Sequence, residues 1–440
     1  MNKYTYYKIG CVLFFTGIFI LPSTLFFGAI FLLISALIGT FINEKKYFQD
    51  NWNKSFFLCA IIILISCLKH IFFTNNLYEN YIDPNLSIIG TLNWLPFFWL
   101  FWGFQPYLNS KQKRKKTSIF LVAGTFPLLI SGFGQFFFNW TGPLETLNGL
   151  VIWYQRPIET NGLTGPFNNQ NYAGCWFSLV FPFCISLFLE KTKNNFYKIS
   201  SLFFLLSIGL AGILTTSRNA WASLASSIPL VIGLSSLYWY VPLILSIIFI
   251  MFLSVFQPLS GELQDLIREI IPKKIWFEFS EERISNLNVT RIEILASAYK
   301  ISQINPIFGL GAGSFPIIYE IQKNLWRGHP HNIILELAIS FGYPATVLFV
   351  LTISILIGMS AINIFSKKNQ KGDFIFLERA WWTSIFLFFI TQLFDVQYFD
   401  ARISITAWII LSGLKLILEE KINSNKLITF TNVKTIKNNL

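Results

Sequence analysis

The chain has 440 residues, of which 53% are hydrophobic, 18% aromatic and only 13% charged. A soluble chain carries roughly 25% charged residues, so composition excludes a water-soluble globular protein. The net charge of +12 is distributed as a topology signal and not as a nucleic-acid surface; no nucleic acid is expected as a partner.

Apolar runs of about 20 residues, long enough to cross a hydrocarbon core of roughly 30 Å, recur from end to end. Spans are expected to start near residues 9, 25, 55, 87, 118, 171, 198, 220, 239, 344, 378 and 401. The fold class is therefore an all-α polytopic membrane protein of about twelve transmembrane helices, with one long external segment of amphipathic helices. The first run, from Ile9, lacks a small-residue cleavage site and reads as a retained span. Cys11, Cys59, Cys67, Cys175 and Cys184 all fall inside apolar runs without a CxxC pair, which marks them as packing residues. Residues 1–257 carry spans one to nine, and residues 258–343 hold the external segment and a short lid helix. Residues 344–418 carry the last three spans, and 419–440 form a cytoplasmic tail.

Orientation follows from the lysines and arginines. With the N-terminus inside, twenty-one fall on internal segments, including "KQKRKK" at 111–116, and three on short external loops: Arg156, Arg218 and Arg402. Both termini are then cytoplasmic, and the basic excess attracts anionic headgroups of membrane lipids. Every unusual polar cluster falls on the outer face: "YQRPIETNGLTGPFNNQNYAG" (154–174), "TTSRNAW" (215–221), the segment 258–331 ending in "RGHPHN", and "DVQYFDAR" (395–402).

These clusters are read in chain order. "GPFNNQNYAG" (165–174) crowds Asn168, Asn169, Gln170 and Asn171 before a span; a helix cap explains it, as does a carboxamide cluster for sugar hydroxyls or phosphate. Arg218 reads equally as an arginine snorkelling to headgroups or as a guanidinium at the bundle mouth that meets an anion. "NVTRIEILASAYKISQ" (288–303) begins with a polar cap and carries Ile292, Leu295, Ala296 and Tyr299 at helical spacing, the pattern of an amphipathic helix. Arg291 falls in its first turn, against the helix dipole. "GLGAGSF" (309–315) lacks the Lys-Ser/Thr of a phosphate loop and reads as a tight turn.

His329 and His331 lie beside Arg327 in "RGHPHN". No third histidine or acid nearby in sequence completes a ligand set, so neither metal nor cofactor is expected. A neutral imidazole can accept a proton from a hydroxyl. Asn332 and Glu336, spaced i, i+4 on the helix that follows, are placed to support the ring. External arginines would hold a diphosphate leaving group, and a lipid tail would lie between spans. The chemistry these residues suit is lipid-linked glycosyl transfer.

In this order, "GPFNNQN", "TTSRNA", "RIEILASAYKI…NPIFGLGAGSF" and "HPHNIILELAISFGYP" resemble the O-antigen ligase and O-antigen polymerase family of bacterial envelope proteins, over most of the chain. The resemblance implies a metal-independent glycosyltransferase of the inner membrane, active on its outer side. Its donor is a polyprenyl-pyrophosphate-linked glycan and its acceptor a lipid or glycan hydroxyl. Arg218 and Arg291 would bind the diphosphate. His331 would be the base, with His329 as the second candidate, and Asn168, Asn171, Arg327 and Glu336 would contact substrate. "FGYPATV" departs from the family's frequent Gly-x-x-Gly by placing Pro344 and Ala345 there. One branch of the family holds inorganic-carbon transporters. That rival expects ionisable groups at depth, for which only Lys69, His70 and Lys415 qualify.

The charge bias generates a test. A cysteine placed at Ser280 should be labelled from outside in intact cells. Protection until lysis would reverse the orientation.

Overall fold

In hydrocarbon only a helix satisfies every backbone group within one segment, so the apolar runs fold as helices. The computed structural model describes residues 2–43, 46–72, 78, 81–140, 142–154, 162–255, 261–271, 290–366, 372 and 374–437. Arg156 and the whole 272–289 stretch, Ser280 included, lie outside them. The chain opens with α1 (Lys3–Ile20), α2 (Leu25–Ile42), α3 (Asn51–Phe72), α4 (Asn85–Thr91), α5 (Leu95–Gly103), α6 (Gln105–Leu108), α7 (Lys111–Gly124) and α8 (Phe126–Phe138). It continues through α9 (Gln170–Leu189), α10 (Asn195–Leu214), α11 (Arg218–Ile232), α12 (Leu237–Val255) and α13 (Gly261–Ile270). The last part holds α14 (Arg291–Ser302), α15 (Ser314–Lys323), α16 (Ile333–Phe341), α17 (Tyr343–Phe365), α18 (Ile375–Thr391) and α19 (Ala401–Lys437).

Among the described residues, nine segments are long and apolar enough to cross a membrane. The shorter or less apolar α1, α11 and α18 stand where the other three expected spans lie. The chain is a polytopic, all-α membrane protein. One exception was not foreseen: Leu144–Thr146 (β1) and Val151–Tyr154 (β2) pair as an antiparallel hairpin after α8.

The core lies around α9, α18 and α19. Every residue of α9 from Ala173 to Leu187 is buried, and Trp176, Trp381 and Trp408 are the largest fully buried side chains. The ionisable groups expected at depth are engaged. Lys415, fully buried, pairs with Asp50 at 2.5 Å and Glu419 at 3.0 Å, and donates to Gln105. The His70 ring donates to the Gly309 carbonyl at 3.1 Å, and Lys69 lies over the Phe308 ring.

Helix α14 packs through a stripe other than the expected one. In α14 the buried face is Ile294, Ala298 and Ile301, which packs with Phe315, Ile318, Tyr319 and Ile339. Ile292 and Tyr299 remain exposed. Both faces of this helix are apolar, so periodicity alone does not choose between them. Its start is as expected: Thr290 caps it, and Glu293 returns the bond in a capping box.

The "GLGAG" turn is a backbone clamp on the end of α16. Leu310 and Gly311 donate their N–H groups to the carbonyls of Ile339 and Ser340. Gly309, Gly311 and Gly313 all have positive φ, the left-handed region open to glycine. A Cβ at Gly309 would stand 2.6 Å from the Ile339 carbonyl. Gly309→Ala should therefore destabilise the protein by about 1–3 kcal/mol, read as a lower melting temperature in detergent. Gly358→Ala, where an added Cβ meets no heavy atom within 4 Å, should leave it unchanged. Equal melting temperatures for the two variants would refute the clamp.

Candidate active site

Helix ends at one end of the bundle converge on one carboxylate. Asp395 follows α18 and is 4% exposed. Its loop is held from within: Gln392 accepts the N–H groups of Gln397 and Tyr398, and Tyr398 stacks on Trp94 with ring centroids 4.7 Å apart. Asp395 Oδ1 lies 2.7 Å from His331 Nδ1 and accepts the Val396 N–H at 3.2 Å. Asn171 Nδ2 donates to Oδ2 at 2.9 Å. His329 Nε2 stands 3.7 Å from Oδ1.

Each partner is aimed by its own cap. Asn169 caps α9 by accepting the N–H groups of Asn171 and Tyr172, which sets Asn171 in the first turn. Asn332 caps α16 by accepting from Ile334 and Leu335, and its amide donates to the Leu393 carbonyl at 3.0 Å. Ile333 N–H donates to Gln392 O. These bonds hold the start of α16 against the end of α18. His331, just before the cap, adopts φ 56°, a left-handed conformation that costs a non-glycine residue roughly 1–2 kcal/mol. That bend accompanies the approach of the ring to Asp395.

The hydrogen bonds place the protons. An ionised carboxylate only accepts, so His331 Nδ1 carries a hydrogen, and in the neutral ring Nε2 then holds the lone pair. His329 Nδ1 accepts the His331 backbone N–H at 3.2 Å, so the neutral His329 ring carries its proton on Nε2. Burial pushes the Asp395 carboxyl up. The His331 hydrogen bond and the charges of His329, His331 and Arg291 outweigh it, and the group titrates below the usual carboxylate range. Burial drives His329 down to about 4; the Asp395 charge opposes this, while His331 and Arg291 add to it.

The fold supplies the acid that the sequence did not bring near the histidines. His329, His331 and Asp395 present ligand atoms all within 4.8 Å of one another, a set that could approach a divalent ion. Binding through His329 Nε2 would require its proton to move to Nδ1, against the His331 N–H. The donor set therefore fits a proton-transfer site better than a metal centre.

The other expected residues divide. Arg291 donates to the Phe394 carbonyl at 3.2 Å, beside Asp395, with its side chain exposed at the site. Arg218 opens α11, whose Ser217 cap makes no side-chain bond to it. Among the described residues the Arg218 guanidinium has no hydrogen bond or ion pair. It stands two residues from Thr216, whose hydroxyl donates to Gln170 at the head of α9. Asn168 is exposed before the α9 cap. Arg327 is half-buried, its Nε without a partner among the described residues. Glu336 does not support the histidine ring. Four residues into α16 it turns to the buried face, accepts only from Ser340 among the described residues, and is pushed up to about 7 by burial, against the Ser340 bond. Nor does Asn332, whose side chain is spent on capping. Asp395 takes the role expected of both. Its only sequence signal was membership of the outer polar cluster "DVQYFDAR".

Residues 201–350 match the family model described as O-antigen ligase. The match spans a third of the chain and includes Arg218, Arg291, His329, His331 and Glu336. No curated protein matches. The resemblance read from the motifs is thus shown on the stretch that carries most of them, and it supports an O-antigen ligase-type function at family level.

The shifts at the site predict a pH dependence of stability. With His329 held near 4 in the folded protein, the unfolded chain takes up a proton first as pH falls below about 6.5, its ordinary value. Stability should fall between pH 6.5 and 4, by at most about 1.4 kcal/mol per pH unit from this group. Asp395, depressed in the folded state, adds stability above its ordinary value that is lost only at still lower pH. Melting in detergent at pH 7, 5.5 and 4.5 should show the decline, reduced in His329→Gln. An identical profile in that variant would remove His329 as its source.

Proposed function

We propose that this protein transfers a saccharide from a polyprenyl-diphosphate donor to an acceptor hydroxyl, on the outer side of the inner membrane, with His331 as a metal-independent general base. The observation that carries the reading is the 2.7 Å bond between His331 Nδ1 and Asp395. It leaves Nε2 as a proton acceptor and sets a buried negative charge behind the imidazolium that forms.

In the reaction, the acceptor hydroxyl gives its proton to His331 Nε2 as its oxygen attacks the anomeric carbon of the donor sugar. The bond from that carbon to the phosphate oxygen breaks, and the polyprenyl diphosphate leaves with the electron pair. Arg291 lies beside Asp395 to meet the charge that develops on the leaving group. Arg218, free among the described residues and set at a helix N-terminus, brings a second cation and a favourable dipole. Asn171 steadies Asp395, so it acts on the base and not directly on sugar. Nothing at the buried ionisable groups favours the solute-transport reading, since Lys415 and His70 are both paired.

The test is glycan transfer from purified polyprenyl-diphosphate glycan, in detergent with chelator present. His331→Ala should lower turnover by about 10²–10⁴-fold at unchanged protein levels. Asp395→Asn should also lower kcat, with donor KM little changed, whereas Arg291→Ala should chiefly raise donor KM. Full activity of His331→Ala would remove the base, and complete loss of wild-type activity on chelation would remove the metal-free mechanism. A change in solute uptake with normal glycans would favour transport.

A further inference from the structure

An apolar groove of about 350 Å³ lies between α17 and α18, roofed by the start of α16. Its mouth is formed by Ile333 and Leu393, the residues flanking the Asn332–Leu393 bond. The floor follows α17 from Phe349 to Gly358, about 14 Å at 1.5 Å per residue, and Trp382 lines its inner end. The groove is open on the lipid side, where Ser354 and Gly358 are exposed. An added Cβ at Gly358 would meet no heavy atom within 4 Å.

Leu393, in the groove wall, is followed by Phe394, whose carbonyl holds Arg291, and then by Asp395, which holds His331. An apolar slot thus opens directly onto a cation and a base. That sequence of surfaces complements a molecule with a hydrocarbon chain at one end and an anionic group next to the reacting bond.

We infer that this groove binds the hydrocarbon chain of the lipid-diphosphate donor, a deepening that rests on the transferase reading above. The volume lies at the low end of small-molecule sites, roughly 300–1,000 Å³. It suits part of a single chain, not the bundled chains of a multi-acyl acceptor. The mouth, with Arg291 at Phe394, suits a diphosphate and not a neutral headgroup.

Filling the groove tests this. Gly358→Phe and Ser354→Phe place a ring in its open side without displacing packed atoms of the bundle. Each should raise KM for a long-chain polyprenyl-diphosphate donor by about tenfold, equivalent to about 1.4 kcal/mol. KM for the acceptor, and kcat/KM for a donor with a two-isoprene chain, should stay the same. A rise in acceptor KM instead would give the groove to the acceptor, and no change in either would leave it to bulk lipid; both overturn the proposal. The binding arm needs no transfer: a farnesyl diphosphate carrying a terminal diazirine, photolysed with the protein in nanodiscs. Crosslinks should fall on α17 and α18, be competed by polyprenyl diphosphate but not by anionic phospholipid, and vanish in Gly358→Phe. Crosslinks on other spans, or competition by the phospholipid, would overturn the groove even with transfer intact. Crosslinks in the groove without any transfer by the wild type would keep it and sink the transferase reading.

Discussion

A single carboxylate organises the end of the bundle that carries the histidines. Asp395 is almost wholly buried, where an unpaired charge would be expensive. It is retained because donors surround it: the His331 ring, the Asn171 amide and the Val396 N–H, with Arg291 and His329 nearby. These donors come from different parts of the chain, so satisfying one charge fixes the relative positions of α9, α16 and the end of α18. In a low-dielectric setting such a network is worth most when every member is present, which makes the geometry of the base and the packing of the helix ends one problem.

The backbone around His331 follows from that constraint. A histidine at φ 56° is held against its preference only if its surroundings over-determine it. Here α16 is pinned at both ends. Its N-terminus is tied to Gln392 and Leu393, and its C-terminus is gripped by the glycine turn at 309–311. The 165–171 loop is drawn to the same region a second time. Arg402, donating two hydrogen bonds to the Asp400 carboxylate, also donates to the Pro166 carbonyl and lies over the Phe167 ring.

Much of this was legible in the sequence because it is local. Spans follow from run length, polar caps before α9 and α14 from the clusters at 168–171 and 288–290, and the turn at 309–313 from its glycines. The histidine pair was conspicuous in a chain with three histidines. The partner of His331 was not, because Asp395 lies 64 residues away across two spans, and no periodicity reports such a contact. Local spacing pointed instead to Glu336, but a residue four places into a helix shares the face of the cap, and here that face turns into the bundle. The packed stripe of α14 was hidden for a different reason: with apolar residues on both sides, the choice of face belongs to the neighbours. The apolar groove beside the site was likewise invisible, since it is a gap between helices and not a property of either.

The central claim is the placement of one proton. With three histidines in the chain, ¹⁵N labelling of histidine gives few enough ring signals for assignment by single substitutions, in detergent or lipid near neutral pH. The account predicts that His331 is a neutral ring protonated at Nδ1, with an unprotonated Nε2, and that Asp395→Asn abolishes this preference. A neutral His331 protonated at Nε2 in the wild type would contradict it, because the atom assigned to accept the proton would already hold one.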